Sequence, residues 1–213
     1  IYINEQLRNL KMKIVTDSGA DLSLEECEEL GVTMLPLKVE VDGVSYQSGV
    51  DITPERFYDL MDAAQSMPKT STPSVGEFVE VYTRLAKEDA EILSIHISTG
   101  LSGTYNAALN ASKIVKEADV TLIDTKTLSA GIAWQVRAAL EMIKAGLSKA
   151  VIVERLQQIQ NAAMTHFTLP DLKYLIAGGR ISHLKGLLAS LLGIKPVIEV
   201  DKIDGKYYDR GKK

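Results

Sequence analysis

The chain has 213 residues, 46% of them hydrophobic, which is enough apolar material for one large domain or for one domain and part of a second. Its formal net charge of -4 argues against a nucleic-acid-binding protein. The sequence contains no run of about 18 apolar residues, so it predicts no membrane span. The single cysteine, Cys27, cannot form an internal disulfide and is flanked by glutamates. We therefore expect an unreactive structural thiol and a cytoplasmic location.

Strands and helices are predicted to alternate along the first three quarters of the chain. Residues 1–11 mix charged and apolar side chains, and we set them aside as a leader or extension. Capping boxes and Pro54 mark helix starts, and glycines mark helix ends. The predicted strands are 13–16, 32–41, 44–46, 92–97 and 120–123, and the predicted helices follow Ser23, Thr53, Ser74 and Gly103 or cover 128–146 and 148–163.

The pattern changes after Thr165, where helical pieces predicted at 171–175 and 183–192 and extended runs predicted at 194–200 and 206–208 replace the regular alternation. The sequence therefore predicts an α/β fold, with a parallel sheet covered by helices on both faces and a second, smaller α/β domain that is truncated. We expect the first domain at 12–164, with the second beginning at 165 and incomplete at 213.

A turn rich in hydroxyl groups and glycine, Ser98-Thr99-Gly100-Leu101-Ser102-Gly103-Thr104, separates a predicted strand from a predicted helix. Backbone N–H groups, hydroxyls and the helix dipole favour an anion at such a place. The turn contains no lysine, which distinguishes it from a Walker-type phosphate loop, and no histidine or cysteine. It is suited to holding an anion rather than to attacking one.

Three other hydroxyl-rich segments are predicted at the same sheet edge, at 16–18, in a loop at 70–74, and at 124–131. Asp17 and Asp124 are candidates for a carboxylate pair or for magnesium ligands, although an aspartate after a strand more often accepts turn N–H groups. Two functions stay open on these residues. One is a lipid-binding carrier without turnover, and the other is an enzyme that acts on a small phosphorylated substrate.

Five motifs, in order and spacing from about residue 12 to 213, resemble the DegV family of fatty-acid-binding proteins. They are Thr16-Asp17-Ser18, Lys69-Thr70-Ser71-Thr72-Pro73-Ser74, Ser98-Thr99-Gly100-Leu101-Ser102-Gly103-Thr104-Tyr105, Leu175-Ile176-Ala177-Gly178-Gly179-Arg180-Ile181 and Leu192-Gly193-Ile194-Lys195-Pro196.

The resemblance implies a two-domain protein that buries a long-chain fatty acid between its domains as a ligand. It also implies that the protein is not an enzyme and uses no other cofactor and no metal. It implies that Thr70, with Ser71 beside it, and Ser98 and Thr99 hold the carboxylate. Some members present the acyl group to a bacterial fatty acid kinase and carry the acyl phosphate, so Arg180 is a candidate contact for the phosphate or the kinase. Members of the family extend some tens of residues further.

Overall fold

The computed structural model describes residues 11–88, 91–181, 184 and 196–212. The strands are β1 (Met12–Asp17), β2 (Val32–Leu35), β3 (Lys38–Val41), β4 (Val44–Gln47), β5 (Lys69–Ser71), β6 (Glu91–His96), β7 (Val120–Asp124), β8 (Thr165–Thr168), β9 (Pro196–Val200) and β10 (Tyr207–Lys212). The helices are α1 (Leu24–Leu30), α2 (Pro54–Ala63), α3 (Val75–Ala86), α4 (Thr104–Ile114), α5 (Ala130–Lys144), α6 (Lys149–Ala162) and α7 (Lys173–Ala177), with a short 3-10 helix at Ser18–Ala20.

Strands β2, β1, β6 and β7 form a parallel sheet in that order within the described part of the chain. Every residue of β1 is buried, as expected for a strand with helices on both faces. Ile14 packs into an apolar cluster with α5 and α6, whereas its neighbour Val15 packs into a second cluster with α3 and α4. The predicted parallel sheet with helices on both faces is confirmed.

Cys27 lies in α1 and is buried in the first of these clusters. Burial, and then the charge of Glu26, raise the pKa of the Cys27 thiol to about 11. The thiol is therefore held in its protonated, unreactive form, as its acidic surroundings predict.

The predicted loop at 70–74 is partly wrong, because Thr70 and Ser71 lie in a strand. Strand β5 pairs antiparallel with β3, with Thr70 opposite Val39, and β4 pairs with the other edge of β3. The single extended run predicted at 32–41 is also divided between two sheets. Pro36 separates β2 from β3, since a proline cannot continue the hydrogen-bond ladder of a strand.

Strands β8, β9 and β10 form a separate antiparallel sheet, with β9 between the other two. One face carries an apolar cluster in which the rings of Phe167 and Tyr207 meet edge to face, with centroids 5.3 Å apart. Strand β8 was not predicted, because its four residues include a single large apolar side chain. The helix predicted at 183–192 lies outside the described residues apart from Leu184, which is buried. The domain boundary predicted at 164/165 stays a prediction.

No helix in the described part of the chain has both the length and the apolar character needed to cross a membrane.

Candidate functional site

The hydroxyl-rich turn lies directly between β6 and α4, as predicted. The N–H groups of Leu101 and Ser102 both donate to the Ser98 carbonyl at 3.0 Å, which closes the turn. At its far end, the N–H of Thr104 donates to Ser102 Oγ at 3.3 Å, at the start of α4. The turn therefore stands at the carboxyl edge of the parallel sheet, where ligands bind in open α/β folds.

Ser98 is fully buried, and its hydroxyl joins the turn to the second sheet. Its Oγ donates to the Gly205 carbonyl at 2.9 Å and accepts from the N–H of Gly100 at 3.0 Å. Gly205 lies in the connection between β9 and β10. The hydroxyl proton of Ser98 is thus already donated within the protein.

Thr99 is half-buried and belongs to a cluster around the Asp124 carboxylate. Thr99 Oγ1 donates to Asp124 Oδ2 at 2.6 Å, and the Thr99 N–H donates to Oδ1 at 3.2 Å. The Lys126 ammonium lies 2.7 Å from Asp124 Oδ2 and donates to Thr99 Oγ1 at 3.2 Å, while the Lys126 N–H donates to Oδ1. Four donors therefore converge on one carboxylate at this edge.

Lys126 is the residue of this cluster that sequence reasoning missed. It does not belong to the glycine turn but to the loop after β7, and its backbone is left-handed, with φ of 53°. The signal in the sequence is Asp124-Thr125-Lys126 directly after a buried strand. Because the neighbouring strand ends meet at one edge, a cation in this loop lies beside the turn.

Thr70 and Ser71 differ from Ser98 and Thr99 in being exposed. Within the described part of the chain, neither hydroxyl makes a hydrogen bond, so both are free to donate to a ligand. The next residue, Thr72, is half-buried and lies against the turn, since a β-carbon built on Gly103 would be 3.6 Å from Thr72 Cγ2. The structure thus brings the two predicted hydroxyl segments to the same edge of the sheet.

Asp17 and His96 form a buried network under this edge. His96 Nδ1 lies 2.9 Å from Asp17 Oδ2, and His96 Nε2 lies 2.6 Å from Ser94 Oγ, which in turn lies 2.8 Å from Tyr82 Oη. Asp17 also accepts the N–H groups of Gly19 and Ile97. All four side chains are fully buried. Asp17 therefore holds the strand ends in place, which is the structural role favoured for it from the sequence.

Arg180 is exposed and follows α7 at the rim of the site. Its Nε donates to the Leu101 carbonyl of the hydroxyl-rich turn at 3.2 Å, and its Nη1 donates to the Gly178 carbonyl. The guanidinium is thus exposed while two of its nitrogens contact carbonyls, as is common for a basic residue that follows a helix. The guanidinium therefore lies beside the turn.

Comparison with known proteins identifies the family. A family model described as "Uncharacterised protein, DegV family" matches residues 11–213. This chain belongs to the DegV family. It is 42% identical over 196 residues to a DegV domain-containing protein of Staphylococcus aureus (strain COL), and these residues cover 92% of this chain and 69% of that protein.

Two solved structures share the fold of this chain. A DegV family protein of Thermus thermophilus, described for its fatty acid binding, is 33% identical with a TM-score of 0.86, covering 95% of this chain and 71% of that one. A stearic-acid-binding protein of Eubacterium ventriosum is 35% identical with a TM-score of 0.87, covering 95% and 70%. Both of these proteins are described as binding a fatty acid, which is the property expected of a carrier rather than of an enzyme.

Proposed function

We propose that this chain binds a long-chain fatty acid, with the carboxylate at the edge where the hydroxyl-rich turn meets the Thr70–Thr72 segment. The observation that carries the proposal is the meeting of these two segments, at Gly103 and Thr72, on a fold shared with fatty-acid-binding DegV proteins. The acyl tail would lie between the parallel sheet and the second sheet. The cytoplasmic location expected from the single cysteine stays a prediction.

A fatty-acid carboxylate taken out of water needs several donors. The free hydroxyls of Thr70 and Ser71 supply donors at this edge, and the Lys126 ammonium adds a donor if the ligand shares it with Asp124. Ser98 and Thr99 contact the ligand only if they exchange their present acceptors, the Gly205 carbonyl and the Asp124 carboxylate. The tail contributes about 0.8 kcal/mol per buried CH₂, so it supplies most of the affinity while the head group sets the orientation.

Two measurements test the proposal. Organic extraction of the purified chain followed by mass spectrometry should recover a long-chain fatty acid. Thr70→Val keeps the shape of the side chain but removes its donor, and it should weaken binding of a fluorescent fatty acid by roughly 1.5–3 kcal/mol. Thr83→Val, on the exposed surface of α3, is the matched control and should bind as the parent does.

The head-group assignment is wrong if Thr70→Val and Ser71→Ala both bind the fluorescent fatty acid as tightly as the parent chain. The function itself is wrong if the delipidated parent binds no fatty acid. Tight binding of a polar phosphate compound instead of a fatty acid would restore the enzyme interpretation.

We further propose that the bound acyl group is presented to a fatty acid kinase, with Arg180 as a contact for the kinase or the phosphate. The exposed guanidinium beside the turn supports this role, because it can reach a partner without leaving the rim. Arg180→Ala should leave fatty-acid binding nearly unchanged but reduce phosphorylation by the kinase. Arg84→Ala, exposed on α3, is the control. Equal phosphorylation of the parent and Arg180→Ala would contradict the role.

A further inference from the structure

The connection between β9 and β10 ends in a tight turn at Asp204 and Gly205. The Gly205 N–H donates to the Asp201 carbonyl at 2.8 Å, and the Asp201 carboxylate accepts the N–H groups of Ile203 and Asp204. Gly205 has a left-handed backbone with φ of 67°. Internal hydrogen bonds therefore fix the shape of this turn before it contacts anything else.

The Asp204–Gly205 turn rests directly on the hydroxyl-rich turn, with no side chain between the two backbones at Gly100. A β-carbon built on Gly100 would collide with the Asp204 carbonyl and lie 2.6 Å from the Gly205 carbonyl carbon. A β-carbon built on Gly205 would collide with Ser98 Oγ and lie 2.9 Å from Ser98 Cβ. Both positions therefore require glycine if the two turns are to meet.

The same contact reaches the cluster around Asp124. A β-carbon on Gly205 would lie 3.3 Å from Lys126 Cα, and the Gly205 carbonyl accepts the Ser98 hydroxyl at 2.9 Å. Ser98 and Lys126 thus stand between the second sheet and the proposed position of the carboxylate. A shift of the Asp204–Gly205 turn would disturb both residues.

We propose that the Asp204–Gly205 turn docks the second sheet onto the head-group site, with Gly100 and Ser98 as its receptor. In this arrangement Ser98 is a positioning residue that holds the second sheet closed over the ligand. The inference rests on the proposed fatty-acid function and deepens it. It assigns ligand retention to a backbone contact, in addition to the hydroxyl donors.

The first test replaces Gly100 by alanine. The new methyl group meets backbone atoms, which cannot move aside as a flexible side chain can, so the Asp204–Gly205 turn must separate from the site. The dissociation rate of a fluorescent fatty acid from Gly100→Ala should rise by roughly tenfold or more, since changes within one interface act mainly on dissociation. Gly76→Ala, whose β-carbon would meet nothing closer than 3.8 Å, should keep the parental rate.

The second test uses a compensating pair. Gly205→Ala should also speed dissociation, and combining it with Ser98→Gly should restore slow dissociation in part, because the clashing side chain is gone. Gly146→Ala controls for the left-handed backbone, since Gly146 has φ of 75° and open space around it. Partial rescue would show that positions 98 and 205 act on each other through this contact. Ser98→Ala removes only the hydroxyl and should raise the dissociation rate a few-fold.

Small-angle X-ray scattering of the ligand-free variants reports docking separately from binding. Gly100→Ala should increase the radius of gyration relative to the parent and Gly76→Ala. The inference is overturned if both glycine variants have the radius of gyration and the dissociation rate of the parent. It is also overturned if the radius of gyration increases without faster dissociation. If neither glycine variant folds, a parental dissociation rate in Ser98→Ala overturns it. If the parent binds no fatty acid, the proposed function is wrong, and so is the role of the turn in ligand retention. The scattering data then still show whether the Asp204–Gly205 turn docks the second sheet.

Discussion

Two hydroxyl-rich segments meet at one edge of the parallel sheet, and they use their hydroxyls in opposite ways. In the turn at 98–104, Ser98 donates to a backbone carbonyl, Thr99 donates to Asp124, and Ser102 and Thr104 bond each other. On β5, Thr70 is exposed and its hydroxyl makes no hydrogen bond within the described residues. Two segments of similar composition therefore have different roles. The turn forms a network of internal hydrogen bonds, whereas Thr70 offers a free donor.

The difference follows from position in the fold. The turn leaves β6, which has β1 on one side and β7 on the other, so its polar groups are close to several strand ends. Among the described residues, strand β5 is an edge strand of a small sheet and pairs only with β3. Buried hydroxyls must find partners within the protein, whereas exposed hydroxyls are satisfied by water and can exchange it for a ligand.

The largest expected effect tests the buried hydrogen-bond network of Asp17 and His96, which lies under the turn. Asp17→Ala removes a buried carboxyl group that is hydrogen-bonded to His96 and accepts the N–H groups of Gly19 and Ile97. Because these buried donors lose their acceptor, the free energy of unfolding should fall by about 3 kcal/mol or more. Urea denaturation measures the change. Asp62→Ala, exposed on α2, should change the stability by less than about 0.5 kcal/mol.

A loss below about 1 kcal/mol for Asp17→Ala would mean that the network does not support the turn. The contrast between the internally bonded turn and the free donors of β5 would then depend only on the hydrogen bonds of Ser98 and Thr99.

The sequence predicts the strand–turn–helix unit at 98–104 because its signals are local. An alternating apolar run, a glycine turn and a helical pattern follow each other within a few residues of Ile97. The same holds for the capping boxes at Ser23 and Ser74, which the structure confirms. The DegV resemblance adds the proposed role of Arg180, which no local pattern indicates, and selects Thr70 from the hydroxyl-rich segment at 70–74.

The partners of the hydroxyls could not be predicted, because they come from distant parts of the chain. Ser98 bonds Gly205, which is 107 residues away, and Asp17 bonds His96, which is 79 residues away. Strand β5 was missed because its pairing with β3 crosses the whole of α2, and its three residues are too few to show alternation. Lys126 escaped notice because it lies in a different loop from the turn.

A comparison of two threonine variants tests the contrast directly. Thr99→Val removes the donor to Asp124, and because hydrogen bonds to charged groups are strong, the free energy of unfolding should fall by roughly 1.5–3 kcal/mol. Thr70→Val breaks no internal hydrogen bond, so the stability should change by no more than about 0.5 kcal/mol. Urea denaturation of the ligand-free variants measures both. Equal losses of stability in the two variants would show that the two hydroxyls do not differ in their internal hydrogen bonding.

The smallest expected effect concerns the order of the free segment, which depends on Glu77. One Glu77 oxygen accepts from the Ser74 N–H and hydroxyl, both at 2.7 Å, and from the Lys38 ammonium at 3.1 Å. Burial acts to raise the pKa of Glu77, but the hydrogen bonds from Ser74 and the contact with Lys38 outweigh it, so the pKa is lowered. This carboxylate therefore ties the end of the Thr70–Ser74 segment to α3 and to β3.

A lowered pKa fixes the direction of the pH effect. The contribution of Glu77 to stability is complete above the unfolded pKa of about 4.3 and is lost as the pH falls through the lower folded value. Glu77 is partly exposed, so we expect a contribution below about 1 kcal/mol. Urea midpoints measured from pH 6 downward should show the difference between the parent and Glu77→Gln shrinking toward acid pH. Glu80→Gln, on the exposed face of α3, should show no such convergence, and a constant difference for Glu77→Gln would mean that the Thr70–Ser74 segment does not depend on this carboxylate.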